Sequence, residues 1–238
     1  LAGRVFTGET RVEKAGHSIS VYAPLEVRGG DLPYVSRGGL KLEGALDAFD
    51  VSVTDLVAAD IGASTGGFTD CLLQHGAARI YAIDVGYGQL AYKLRSDERV
   101  IVMERTNARY VETLNEAVEL AVVDASFISL RLLLPAIQKW LEPQADIIAL
   151  IKPQFEAGKG DVSKGGVVKD KAIHERVIRD VADFAIAQGF GVADLTVSPI
   201  KGLKEGNTEF LIWLQYGQDV TLESFDTKLK AVLASLDR

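Results

Sequence analysis

The stretch LVAADIGASTGGF (residues 56–68) is an apolar run that ends on a glycine-rich loop and opens into a helical pattern. Read alone, LVAADI is a buried strand and DIGASTGGF the turn that leads into a helix. In doubly wound α/β folds, ligands bind at the carboxyl ends of the strands. Glycines there let the backbone approach a ligand and adopt conformations that other residues avoid. A plain strand-to-helix turn would look similar, so the next strand matters. RIYAID (79–84) ends in Asp84, about twenty residues on, where an acid can bind both hydroxyls of an adenosine ribose. NAD and S-adenosyl-L-methionine both satisfy that pattern. The loop lacks the strict G-x-G-x-x-G spacing, and Asp60 suits a cationic sulfonium with an amino-acid tail better than a pyrophosphate. S-adenosyl-L-methionine is therefore the expected cofactor. Its candidate contacts are Asp60, Gly62, Ala63, Ser64, Gly66, Gly67, Phe68 and Asp84. Asn107, after the third strand, stands where an adenine contact or a simple loop turn would each fit.

Outward from this loop, apolar strands alternate with helical stretches. The strands read as 56–61, 79–84, 100–104, 120–125, 146–152, 192–198 and 209–216. Helical spacing covers GLKLEGALDAF, then residues near 67–75, 87–95, 129–141 and 171–188, and finally 221–236. Continuous apolar strands separated by helices imply a mostly parallel sheet covered on both faces. The last two strands are joined by SPIKGLKEGN with no helix between them, which predicts a terminal antiparallel hairpin. The expected fold is α/β: a doubly wound, Rossmann-like sheet of seven strands, the last one antiparallel, over residues 36–238. Residues 1–28 read as a separate strand-rich piece with a tight turn at TGET, and 29–35 as a linker. The chain opens on Leu1 in mid-pattern, so a preceding segment is expected.

Composition narrows the class. The 238 residues are 47% hydrophobic and 25% charged, without repeats, which fits a globular enzyme-sized chain. No apolar run reaches the roughly 20 residues of a membrane helix. One cysteine, Cys71, excludes an internal disulfide and a cysteine-rich metal site, and three scattered histidines show no metal spacing. These features favour a cytoplasmic protein that needs no metal. The net charge of −7 argues against a uniformly basic nucleic-acid binder. Basic residues nevertheless gather near the glycine-rich segments, and a local basic face stays open.

Four charges stand at the edges of apolar segments: Lys41 in SRGGLKL, Asp124 in VVDASF, Lys152 in LIKPQFE and Glu209 in NTEF. Charges in such positions are costly unless they are paired or used. Asp124, at the end of its strand, also counts among the cofactor candidates. The long loop QFEAGKGDVSKGGVV reads as a surface loop or as a lid. Arg37, Lys159, Lys164 and Lys169 are candidates to touch phosphates. Phe127 and Phe155 would either stack on a base or pack in the core.

SRGGLKL, DIGASTGGFTD, VVDASFISL, LIKPQFE and NTEF together resemble the TlyA family of RNA 2′-O-methyltransferases, and more distantly the FtsJ/RrmJ group. The resemblance spans nearly the whole chain. It implies methyl transfer from S-adenosyl-L-methionine to a ribose 2′-hydroxyl of ribosomal RNA. It implies a Lys-Asp-Lys-Glu set, which falls on Lys41, Asp124, Lys152 and Glu209 with no substitution. It also implies that residues 1–28 are the remnant of an alpha-L type RNA-binding module. Burial and a second cation disfavour a charged Lys152, while the two acids favour it, so a base and an electrostatic clamp both stay open for that residue. Competing readings are a non-catalytic RNA-binding or ribosome assembly factor, a membrane-active hemolysin (a label some family members carry) and, last, a dehydrogenase.

Overall fold

The computed structural model describes residues 5–12, 18–27, 32–163, 165–202, 206–217 and 223–236. The chain divides into two compact units, Leu1–Pro33 and Tyr34–Arg238. The first holds a three-stranded antiparallel sheet of β1 (Val5–Thr7), β2 (Thr10–Arg11) and β3 (Glu26–Val27), in the order β2-β1-β3. The TGET turn joins β1 to β2, with Thr7 opposite Thr10. Tyr34 and Val35, expected in the linker, belong to the second unit. Tyr34 is 5% exposed in its core, and the Val35 amide donates to Asp70 at 2.7 Å.

The second unit begins with helix α1 (Gly38–Phe49). It continues through β4 (Val57–Ile61), α2 (Gly67–Gln74), β5 (Arg79–Ile83), α3 (Tyr92–Arg95), β6 (Val100–Met103) and β7 (Val118–Val123). Next come α4 (Leu130–Ile137), β8 (Leu141–Ile151), α5 (Pro153–Glu156) and α6 (Lys171–Ala187). The hairpin β9 (Phe190–Val197) and β10 (Phe210–Tyr216) follows, and then α7 (Glu223–Ser235). The sheet order is β6-β5-β4-β7-β8-β10-β9. β10 runs antiparallel to both β8 and β9, while the β4–β5, β4–β7, β5–β6 and β7–β8 pairs are parallel. This is the seven-strand sheet with an antiparallel last strand that the spacing predicts.

The strands lack polar alternation because both faces are covered. Along β8, Ile147, Ala149 and Ile151 join the core beneath α4, α6 and α7. Ile148 and Leu150 join the opposite core beneath α1 and α2. At about 25 cal/mol per Å² of apolar surface removed from water, neither face can be left open. α7 shows its packing in the spacing of Phe225, Leu229 and Val232, all buried at i, i+4 and i+7.

Two elements differ from the sequence reading. α3 covers only Tyr92–Arg95 rather than 87–95. The preceding residues are held as a loop instead: the Gly86 and Gly88 amides donate to Asp84 and Glu104, and Ala91 N–H to the Thr65 carbonyl. β8 starts five residues earlier than expected, at Leu141, because its first residues pair with Val118 before the register shifts.

Candidate active site

Strand direction gathers the four charges. Asp124 follows the last residue of β7, and Lys152 follows the last residue of parallel β8. β10 runs the other way, with Phe210 opposite Ile151. Glu209 therefore enters β10 at the edge where β7 and β8 end. Lys41 arrives from the first turn of α1. That helix is drawn in where Gly67 faces it: a Cβ on Gly67 would stand 2.8 Å from the Gly39 nitrogen.

The four side chains form one connected line. Glu209 Oε2 accepts from Lys41 Nζ at 2.7 Å, and Lys41 Nζ lies 3.6 Å from Asp124 Oδ2. Asp124 Oδ1 lies 2.5 Å from Lys152 Nζ, which also donates to Ser126 Oγ at 3.0 Å. Lys41, Lys152 and Glu209 are buried. Two cations and two anions in a partly dry setting are tolerable only as a set, since removing one leaves a charge uncompensated. Such a line can hold an amine at a fixed point and keep a second cation close by.

The loop from Asp124 to Leu130 is stitched to Lys152 and α5 at three places. Lys152 reaches Ser126, Phe127 and Phe155 lie with ring centroids 4.9 Å apart, and the Ser129 hydroxyl donates to Glu156 at 2.6 Å. Glu156 also accepts the Leu130 amide at 2.7 Å, which caps α4. Pro153 at the first position of α5 fits a helix that begins directly after an extended residue. In VVDASF and LIKPQFE the sequence singles out Asp124, Phe127, Lys152 and Phe155. Ser126 and Glu156 are the residues it misses, because their partners stand 26 residues or more away.

The glycine-rich loop lies beside this line. Gly62 has φ +87°, and a Cβ there would stand 2.7 Å from the Asp124 carbonyl oxygen, so the β4 loop and the end of β7 touch through bare backbone. Asp84 braces the loop, accepting from the Ser64 amide at 2.7 Å and from the Gly86 amide at 2.6 Å. Ala63, Ser64, Asp84, Leu90, Val102 and Glu104 line a small hollow next to it. Gly66 precedes α2, while Gly67 and Phe68 lie in its first turn with Phe68 3% exposed in the core. Asn107 is exposed and accepts the Arg109 amide at 3.1 Å, capping the short turn Ala108–Tyr110.

Asp60 is the most informative acid here. Its Oδ2 accepts both the amide and the hydroxyl of Thr69, at 2.9 and 2.6 Å, while its fully buried Oδ1 has no partner among the described residues. Burial pushes its carboxyl up from 3.8 to about 7, against hydrogen bonds from Thr69, and the charges of Asp124 and Asp84 add to the rise. An orphaned acceptor of this kind fits a cationic donor such as an ammonium group, so the residues suit an amino-acid-bearing cofactor. The folded state binds the extra proton between the two values. Stability from Asp60 is thus present below pH 3.8 and lost as pH rises through about 7. The loss is at most on the order of 4 kcal/mol. Urea midpoints recorded across that window should fall for the wild type, and Asp60→Asn should flatten the fall.

Among the described residues no group of His, Cys, Asp and Glu could hold a metal ion, and no helix is long and apolar enough to cross a membrane. Arg37 and Lys169 are exposed, and Lys159 opens the turn Lys159–Asp161. Lys164 lies outside the described residues. The loop after α5 is folded: Asp161 pairs with Arg176 at 2.6 Å, and Asn207 ties Gly166 and Val168 to the approach of β10. Phe127 is 87% exposed, so core packing does not hold it.

The sequence model of the FtsJ-like methyltransferase family matches residues 34–216. YqxC of Bacillus subtilis is 52% identical over 91% of this chain and 78% of its own length. The 16S/23S rRNA (cytidine-2'-O)-methyltransferase TlyA of Mycobacterium tuberculosis is 47% identical over 83% of this chain and 74% of its own. A solved structure from Streptococcus thermophilus that carries a hemolysin name superposes with a TM-score of 0.85 at 45% identity. It covers 99% of this chain and 86% of that one.

Proposed function

The chain belongs to the FtsJ-like methyltransferase family, and on that premise we propose that it transfers a methyl group from S-adenosyl-L-methionine to a ribose 2′-hydroxyl of ribosomal RNA. The observation that carries this reading is the unbroken line from Glu209 through Lys41 and Asp124 to Lys152. A ribose hydroxyl is a poor nucleophile and must give up its proton. When bound, the cofactor supplies a methyl group on a cationic sulfur. Lys152 takes the hydroxyl proton as the oxygen attacks. Asp124 holds the Lys152 amine, and Lys41, fixed by Glu209, opposes the negative charge that grows on the ribose oxygen. Asp60 and Asp84 receive the cofactor's amino group and ribose, with Gly62, Ala63, Ser64, Gly66, Gly67 and Phe68 shaping the loop and Asn107 beside the adenine.

RNA is met by the basic residues Arg37, Lys159, Lys164 and Lys169, with residues 1–28 as the RNA-binding piece and 29–33 as its linker. The place of action is the cytoplasm, where ribosomal RNA is found. Each phosphate contact adds about one unit to the slope of log affinity against log salt. Lys169→Ala should lower that slope by about one in a salt titration of subunit binding. Phe127 is exposed and packs on Phe155, whose ring centroid lies 5.9 Å from the Lys152 amine, which is the setting of a base-stacking platform. Phe127→Ala should leave the melting temperature nearly unchanged and weaken RNA binding by about 1–3 kcal/mol. The direct test is transfer of labelled methyl groups to ribosomal subunits from cells that lack the gene. Incorporation into RNA supports the reading, and cofactor binding without incorporation would favour an assembly factor.

A further inference from the structure

We infer that Ser126 is a positioning residue for Lys152, and that the two acceptors Asp124 and Ser126 together aim the lone pair of the Lys152 amine at the reacting hydroxyl. The inference rests on the ribose methyl transfer proposed above. The Lys152 amine makes two short contacts, 2.5 Å to Asp124 Oδ1 and 3.0 Å to Ser126 Oγ. The Lys152 ammonium must first give up one proton; the amine that then accepts from the ribose has two N–H bonds and one lone pair. With both hydrogens committed to these acceptors, and the fourth direction taken by its own carbon, the lone pair has one orientation left. With a single acceptor, either hydrogen could make the bond, and the lone pair would be divided between two orientations.

Ser126 is held firmly enough for this task. It sits between Asp124 and Phe127, and Phe127 adopts φ +63°, a left-handed conformation that a bulky residue rarely takes. Backbone strain of this sort persists where surrounding contacts over-determine it. Those contacts are the Phe127–Phe155 ring pair and the Ser129–Glu156 hydrogen bond, which fasten the segment that follows Ser126 to α5. α5 begins immediately after Lys152. The hydroxyl and the amine it receives are therefore fixed in one frame.

In the step so defined, the 2′-O–H bond breaks and its proton joins the Lys152 lone pair. The oxygen's electrons form the new O–CH3 bond, and the S–CH3 electrons stay on the departing sulfur. Lys152 leaves as an ammonium, and its added hydrogen lies on the side from which the hydroxyl came. Ser126 touches neither substrate nor cofactor in this scheme and acts through Lys152 alone.

Ser126 is exposed, so Ser126→Ala should leave the urea unfolding midpoint nearly unchanged. A loosened amine should lower kcat by about 100-fold while KM for ribosomal subunits and cofactor affinity stay within about twofold. Ser126→Thr, which keeps an acceptor oxygen, should recover most of the rate. A second readout needs no catalysis: acylation of Lys152 in the free protein by a succinimidyl ester at fixed pH, followed by peptide mass spectrometry. The freed amine of Ser126→Ala should label several-fold faster than wild type, and Ser126→Thr should label like wild type. Unchanged kcat, or equal loss in the alanine and threonine variants with wild-type labelling, would overturn the inference. A wild-type chain that methylates no RNA would overturn the proposed function and the catalytic use of this hold, while the labelling contrast would still report the hold itself.

Discussion

Lys152→Ala lowers the rate of methyl transfer by about 1,000-fold, within the range that a positioned proton acceptor contributes. Cofactor affinity in the same variant stays near the wild-type value, because no contact assigned to the cofactor comes from Lys152. The distinction matters, since a collapse of the pocket would lower both. Lys152 emerges at the end of β8, with the Ile151 backbone paired to Phe210 of β10, so shortening its side chain leaves the strand ladder in place. The measurement is single-turnover transfer alongside calorimetric cofactor binding. A variant that binds cofactor and still transfers at the wild-type rate removes Lys152 from the chemistry.

Lys41→Met destabilises the fold by about 3–5 kcal/mol, the cost of leaving a buried charge without its partner. Glu209 is 3% exposed, and its carboxylate meets the Lys41 amine at 2.7 Å. Gly202 presses close as well, since a Cβ there would stand 2.8 Å from Glu209 Oε1. The carboxylate thus has little room to turn toward water. Lys41→Met combined with Glu209→Leu should recover most of the lost stability, because the penalty lies in the orphaned charge and not in the missing contact. Activity should stay low in both proteins. Urea unfolding of the wild type, the two single variants and the double variant gives the coupling directly. A loss below about 1 kcal/mol in Lys41→Met would show a pair that behaves like an exposed one.

What the sequence makes legible follows from physics that acts locally. Strands such as IIALI are apolar on both sides because helices cover both faces, and that pattern needs no knowledge of partners. The hairpin is visible because SPIKGLKEGN leaves no room for a helix. Lys41, Asp124, Lys152 and Glu209 stand out as charges against apolar neighbours, although the family resemblance is needed to join them.

Other features depend on contacts made only after folding. Ser126 is an ordinary serine until Lys152 donates to it, and Glu156 is an ordinary acid until it caps α4. The shortened α3 has the same origin, since Asp84 and Glu104 claim the amides of Gly86 and Gly88. Tyr34 reads as linker in the sequence because its burial is set by α1, where a Cβ on Gly39 would overlap its ring at 2.3 Å.

The measurement that bears most directly on the central claim is the chemical position of the transferred methyl group. Ribosomal RNA labelled by the wild-type protein is digested with alkali, which cleaves next to every free 2′-hydroxyl and spares a methylated one. Ribose methylation places the label in alkali-resistant dinucleotides, and this is the expected result. Label recovered in mononucleotides would mean methylation of a base, and would contradict proton transfer from a ribose hydroxyl to Lys152.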